Sequence, residues 1–137
     1  MIVKTIRLSS QAKDQLSRLK AKTGIQNWNV LCRWALSLSL NENTIPSEKN
    51  ISPSDSNIEI SWHVFGGEYH EVYGALVKQR CINDGLGDDP KTLAKYFNLH
   101  LHRGISYLSS PGYIKSCSDL LKLAIDDSSS SEEGEYR

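Results

Sequence analysis

No apolar run in this 137-residue sequence approaches the ~20 residues that a membrane-spanning helix requires. Nor is there the apolar core of a signal peptide near the start, because Lys4 and Arg7 lead straight into a polar segment. The expected location is therefore the cytoplasm. Cysteine is scarce: Cys32, Cys81 and Cys117 are odd in number, and no two have the spacing of a zinc site. Each sits among apolar neighbours, so all three are expected to be buried free thiols in a reducing compartment. Net charge is absent too, with 16 basic and 16 acidic residues. A uniformly basic or acidic protein is excluded, though a local patch is not.

Catalytic constellations are equally lacking. The "GLG" of Gly85 to Gly87 has no GK[S/T] ending and precedes two acids that would repel a phosphate. His100 and His102 alternate, and alternate residues of a helix face different directions, so they do not chelate one ion between them. His63 and His70, near Glu68 and Glu71, are conceivable acid–base or metal groups, but polar residues at a strand-to-helix turn are the plainer reading. No nucleophile, cofactor site or metal site is identified, and a non-enzymatic protein is expected.

What the sequence does have is charge segregation. Residues 1–40 carry seven Lys/Arg against one acid, Asp14, whereas residues 41–90 carry three basic and nine acidic residues. Residues 91–125 return to five basic against one acidic, and residues 126–137 are acidic again. Segregated charge can steer a polyanion even when the total is zero.

The chain is long enough for one domain with a real core. Ile2 to Leu8 alternates as a strand, with Ile2, Lys4, Ile6 and Leu8 on one side and Val3, Thr5 and Arg7 on the other. Ser9 or Ser10 can cap the helix that follows, and Gly24 is suited to end it. Its apolar stripe is Ala12, Leu16, Leu19 and Thr23, bordered by Lys13 and Lys20, with Arg18 and Lys22 on the outer face. Asn27 to Leu40 is a helix apolar nearly all round, with Trp28, Leu31, Ala35 and Leu38 as one stripe. Such a helix must be covered on several sides, which suggests an oligomer. Residues 41–57 form a polar loop, and "IEISWHVFGG", Ile58 to Gly67, alternates as a second strand. Tyr69, Val72, Tyr73, Leu76 and Val77 mark the next helix. Asp89 and Pro90 open another through Leu93, Ala94, Phe97 and Leu101, and Ile114, Cys117, Leu121 and Ile125 mark the last. The expected fold is α+β and mainly helical: one compact domain over 1–126, with about five helices, two short antiparallel strands and an acidic disordered tail, 127–137. Whether the strands pair within or between chains stays open.

The strongest positive signal is basic. Lys4, Arg7, Lys13, Arg18, Lys20 and Lys22 lie within 19 residues with only Asp14 opposing them, and Lys91, Lys95 and Arg103 form a second zone. A solubilising face is the bland alternative. Two zones favour a surface that holds phosphates, and oligomerisation would let weak patches act together. The strand–helix–helix order of residues 2–40 is similar to ribbon-helix-helix repressors, in which paired strands of a dimer enter the major groove. Val3, Thr5 and Arg7 would then face the bases, although Val3 offers no hydrogen bond.

Three stretches together, "IRLSSQAKDQLSRLKAKTGIQNWNVLCRWALSLSL", "ISWHVFGGEY" and "NLHLHRGISYL", resemble the DndE family, the small component of the bacterial DNA sulfur-modification (phosphorothioation) system. The resemblance runs from about Ile2 to Ile125. It implies a tetrameric subunit that binds double-stranded DNA, preferably nicked, through surface lysines. It also implies work beside a cysteine desulfurase, an iron–sulfur protein, an ATP-sulfurylase-like protein and an ATPase, which together replace a non-bridging phosphate oxygen with sulfur. The lysine contacts are placed first on Lys13, Lys20 and Lys22, and second on Lys4, Arg7, Arg18, Lys91 and Lys95. A backbone clamp is the leading expectation, since phosphate contacts fix register without reading sequence. The alternatives are a ribbon-helix-helix-like transcriptional regulator and a DNA nickase using His63, His70 and Glu68.

Overall fold

The computed structural model describes residues 1–48 and 55–125. Strand β1 (Thr5–Arg7) is followed by α1 (Ser10–Thr23), α2 (Trp28–Leu40), β2 (Glu59–Ser61), α3 (Trp62–Gly66), one 3₁₀ turn (Gly67–Tyr69), α4 (His70–Asn83) and α5 (Pro90–Leu108). Residues 117–125 are also helical and are called α6.

Local chemistry sets the helix boundaries. Ser9 Oγ accepts the Ala12 N–H at 3.0 Å and so caps α1. At the other end Gly24 takes φ 76° and its N–H bonds Lys20 O at 2.9 Å. Asp89 accepts the Thr92 N–H at 3.3 Å, and Pro90 occupies the first turn of α5, where no donor is needed.

The strands pair antiparallel within the chain, Thr5 opposite Ser61, Ile6 opposite Ile60 and Arg7 opposite Glu59. The strand–helix–helix order is therefore present, but β1 takes its partner from β2 rather than from a second subunit. The second strand is also shorter than its alternation suggests. Ser61 Oγ accepts the Val64 N–H and turns the chain into α3, which buries Trp62 and Phe65. Apolar residues three apart serve a helix, and here they join a cluster instead of a sheet. Trp62, Phe65 and Phe97 have ring centroids 5.4–5.5 Å apart, and Tyr73 meets Phe65 at 5.5 Å.

Helix α5 runs through the centre of the core and packs chiefly on α2. Gly104 sits at their crossing, where an added Cβ would stand 1.8 Å from Ala35 O. The α2 helix buries Leu31, Cys32, Ala35, Leu36 and Ser39, and leaves Trp28, Trp34 and Leu38 half-buried. Part of its second side meets the chain itself: Trp34 and Leu38 line a hollow with Leu108 and Leu123 and stay half-buried there.

Three apolar expectations are corrected. Cys32 and Cys81 are buried, but Cys117 is exposed. On α6 the inward residues are Leu120 and Leu123, while Leu121 and Ile125 face solvent. On α4 the core takes Val77 and Cys81, and Val72 and Leu76, like Tyr69 of the preceding turn, are more than half exposed. Of the polar loop, residues 41–48 are anchored by arginine: Arg80 donates to the carbonyls of Leu40, Glu42 and Thr44, and Arg103 donates to Ser39 O and Thr44 O. Residues 49–54 of that loop and the acidic tail lie outside the described residues.

Candidate nucleic-acid interface

The eight cations expected as DNA contacts separate by what they touch. Arg7 forms an ion pair with Glu59, its cross-strand partner, and also reaches Ser56 O. Lys95 pairs with Glu48 at 2.5 Å. These two are partly neutralised. Lys13 donates to the Asn57 amide oxygen at 3.4 Å, a neutral partner that leaves its charge uncompensated. Lys4, Arg18, Lys20, Lys22 and Lys91 make no ion pair or hydrogen bond through their side chains among the described residues.

Helix geometry distributes the α1 cations. The core face is Ala12, Leu16, Leu19 and Thr23. At 100° per residue, Lys13 and Lys20 lie on one flank of that face, toward Asn57, and Arg18 and Lys22 lie on the other. The second flank meets α5. Gln15, Arg18 and Lys22 line a hollow of about 430 Å³ with Ser106, Ser109, Ser110 and Pro111. It adjoins another of about 360 Å³, lined in part by Gln11, Gln15, His102, Arg103 and Ser106. Gln15 and Ser106 belong to both, so the two form one groove between α1 and α5. Among the described residues, neither lining contains an aspartate or a glutamate.

The other described arginines hold the fold. Arg33 donates to Phe65 O at 2.8 Å, and Arg80 pairs with Asp84 at 3.0 Å. Arg103 Nε donates to Ser39 Oγ at 2.8 Å, which leaves the Ser39 hydroxyl hydrogen for His100 Nδ1 at 2.7 Å. Burial, and then the Arg103 and Arg80 charges, push His100 down to about 4, so it is neutral at pH 7. His102 is likewise held neutral, mainly by burial: Nδ1–H donates to Asn98 O at 2.9 Å and Nε2 accepts the Ser9 N–H at 3.2 Å. The two histidines thus face different partners, as their alternation implies, and His102 braces the start of α1.

His63 and His70 do come together, edge to face with centroids 4.4 Å apart, in a cavity of about 520 Å³ that Glu71 and Lys78 also line. Glu68 does not line it. Among the described residues, no three His, Cys, Asp or Glu side chains are grouped as a metal site. No described helix is long and apolar enough to cross a membrane.

Sequence reasoning located the α1 cations and missed Gln15 and Ser106. The signal available was the row Gln11, Gln15, Arg18, Lys22, which at spacings of four, three and four lies on one helix face with no acid.

No curated protein sequence matches the chain. A crystal structure of DndE from Escherichia coli B7A, described as involved in DNA phosphorothioation modification, is similar in fold with a TM-score of 0.65. It is 27% identical, and the match covers 79% of this chain and 98% of that one. A crystal structure of a DndE glycine-to-lysine double mutant, also described as involved in DNA phosphorothioation, has a TM-score of 0.56 at 24% identity. That match covers 79% of this chain and all of the mutant, and it speaks to the fold alone. The sequence profile described as DNA sulphur modification protein DndE matches residues 5–116, and the chain therefore belongs to the DndE family.

Proposed function

We propose that this chain is a DNA-binding, non-catalytic subunit of the DNA phosphorothioation machinery, and that it clamps the phosphate backbone of double-stranded DNA. The observation that carries the reading is the state of the α1 cations. Lys13, Arg18, Lys20 and Lys22 sit on both flanks of one helix and are not neutralised by any described acid, although the chain has as many acids as bases. Phosphate binding needs several such charges along one surface. The family membership supplies the context in which a DNA-holding subunit would act.

Backbone contact suits this surface better than base reading. The one cation on β1, the exposed Arg7, is already occupied by Glu59. We extend the proposal to a homotetramer that prefers nicked duplex and works beside the cysteine desulfurase, iron–sulfur protein and ATPase of the system. Four copies would place four α1 helices on one DNA and multiply weak contacts.

The test is a titration of intact, nicked and single-stranded DNA at two salt concentrations, on protein whose mass in solution is measured alongside. Tight binding that falls steeply with salt is expected, strongest on nicked duplex and carried by a tetramer. Lys20→Ala and Lys22→Ala should weaken binding to unrelated sequences alike and lower the salt slope by about one per lost contact. A folded protein that binds no duplex at low salt would refute the clamp.

A further inference from the structure

Resting on that reading, we infer that the clamp is not a single helix: a DNA strand lies in the groove between α1 and α5, with Gln15 and Ser106 as its central contacts. The groove joins two hollows that share these two residues. On the α1 side it presents Gln11, Gln15, Arg18 and Lys22, one face of the helix. From Gln11 to Lys22 that row spans roughly 16 Å, against about 3.4 Å of axis per phosphate on one strand, so it suits a run of backbone rather than an isolated anion.

The chemistry along the groove is graded. At one end Arg18 and Lys22 supply uncompensated positive charge. In the middle the Gln15 amide and the Ser106 hydroxyl make no hydrogen bond through their side chains among the described residues, so their donors are available. At the far end His102 is spent on Ser9 and Asn98, and Arg103 on Ser39 and Thr44, with Glu42 3.7 Å away. Ser109 and Ser110 already donate their hydroxyls to Ser106 O, at 3.1 and 3.2 Å. Charge and free donors therefore coincide from Gln15 to Lys22. Sugar and phosphate oxygens need just these groups, and no described aspartate or glutamate lines the stretch from Gln15 to Lys22.

The experiment places one negative charge at a time. Gln15→Glu changes an amide for an isosteric carboxylate, and Ser106→Glu enters from the opposite wall. Gln79→Glu, on the exposed face of α4, adds the same charge elsewhere. Binding of a labelled duplex is measured at low salt, with thermal unfolding confirming that each variant folds. Gln15→Glu and Ser106→Glu should each weaken binding at least tenfold, and Gln79→Glu less than twofold. If wild type binds and all three variants match it, the groove is wrong while the clamp stands on the Lys13–Lys20 flank. If Gln79→Glu weakens binding as much as the other two, only overall charge matters and the groove is again overturned. If wild type binds no duplex, the clamp fails and the groove with it.

Discussion

Replacing Gly104 with alanine should destabilise this protein, against the usual effect of that substitution in a helix. In an unobstructed helix interior, alanine is favoured over glycine by about 1 kcal/mol. At Gly104 the new Cβ would stand 1.8 Å from Ala35 O, 2.3 Å from Ala35 C and 2.9 Å from Ala35 Cα. Ordinary contact begins near 3.4 Å, so the two backbones must part by about 1.6 Å along that line, 3.4 less 1.8. The obstacle is main chain and cannot rotate away as a side chain would. Moving α2 from α5 also loosens Leu31, Leu36, Leu101 and Ile105, all fully buried. Overpacking of this kind costs about 1–3 kcal/mol and occasionally more. With the clash at backbone, the upper end applies, and the net loss after the helix-propensity gain is about 2 kcal/mol. Gly74 is the internal control. Its added Cβ would meet Trp62 Cζ2 at 3.4 Å and Ile2 Cγ1 at 4.0 Å, normal contacts, so Gly74→Ala should gain about 0.5–1 kcal/mol. Urea unfolding followed by circular dichroism gives both numbers. A Gly104→Ala protein as stable as wild type would show that α2 and α5 do not approach so closely, and would refute the packing of Gly104 on Ala35.

Three further outcomes are expected. Stability should fall between pH 6.5 and 5, because His100 and His102 are held neutral when folded and accept protons more readily unfolded. Both folded-state values are lowered, so the contribution is complete above 6.5 and shrinks as pH drops. For His100, at about 4, the loss by pH 5 is about 2 kcal/mol. Equal urea midpoints at pH 7.5 and 5 would contradict this. In the native protein one thiol, Cys117, should react promptly with a chromogenic disulfide reagent, and all three should react after unfolding. Burial pushes the Cys32 thiol up to about 12, which slows it further, and three rapid equivalents in the native state would refute the placement. Arg7→Ala should change stability by less than about 1 kcal/mol, since both partners of its ion pair are about half exposed, and should leave the preference among DNA sequences unaltered. Loss of discrimination in that variant would instead revive base reading by β1.

Several features were legible in the residues alone, because they depend on neighbours only a few positions away. Ser9, Gly24, Asp89 and Pro90 mark helix ends through bonds that close within three or four residues. The α1 stripe of Ala12, Leu16, Leu19 and Thr23 follows from a period of 3.6 and is buried as expected. The mainly helical fold with two short antiparallel strands, and the family resemblance, also came from the chain itself. Periodicity failed where two patterns overlapped. "SWHVFGG" alternates like a strand and also spaces Trp62 and Phe65 like a helix, and the Ser61 cap with the Phe97 contact decides for the helix. On α4 and α6 the apolar residues outnumber the places available on the core, so counting them cannot say which are covered.

Contacts between remote residues were decided only by the tertiary structure. Arg7 and Lys13 look equivalent in the sequence, yet packing delivers Glu59 to one and only a neutral amide to the other. His102 becomes a brace for α1 because α5 brings it to Ser9, 93 positions away. Gln15 and Ser106 form one groove for the same reason. A helix's own sequence fixes which side chains share a face, through bonds and steric limits within a turn or two. What that face meets is set by how whole elements pack, and in this protein that decides which charges remain uncompensated.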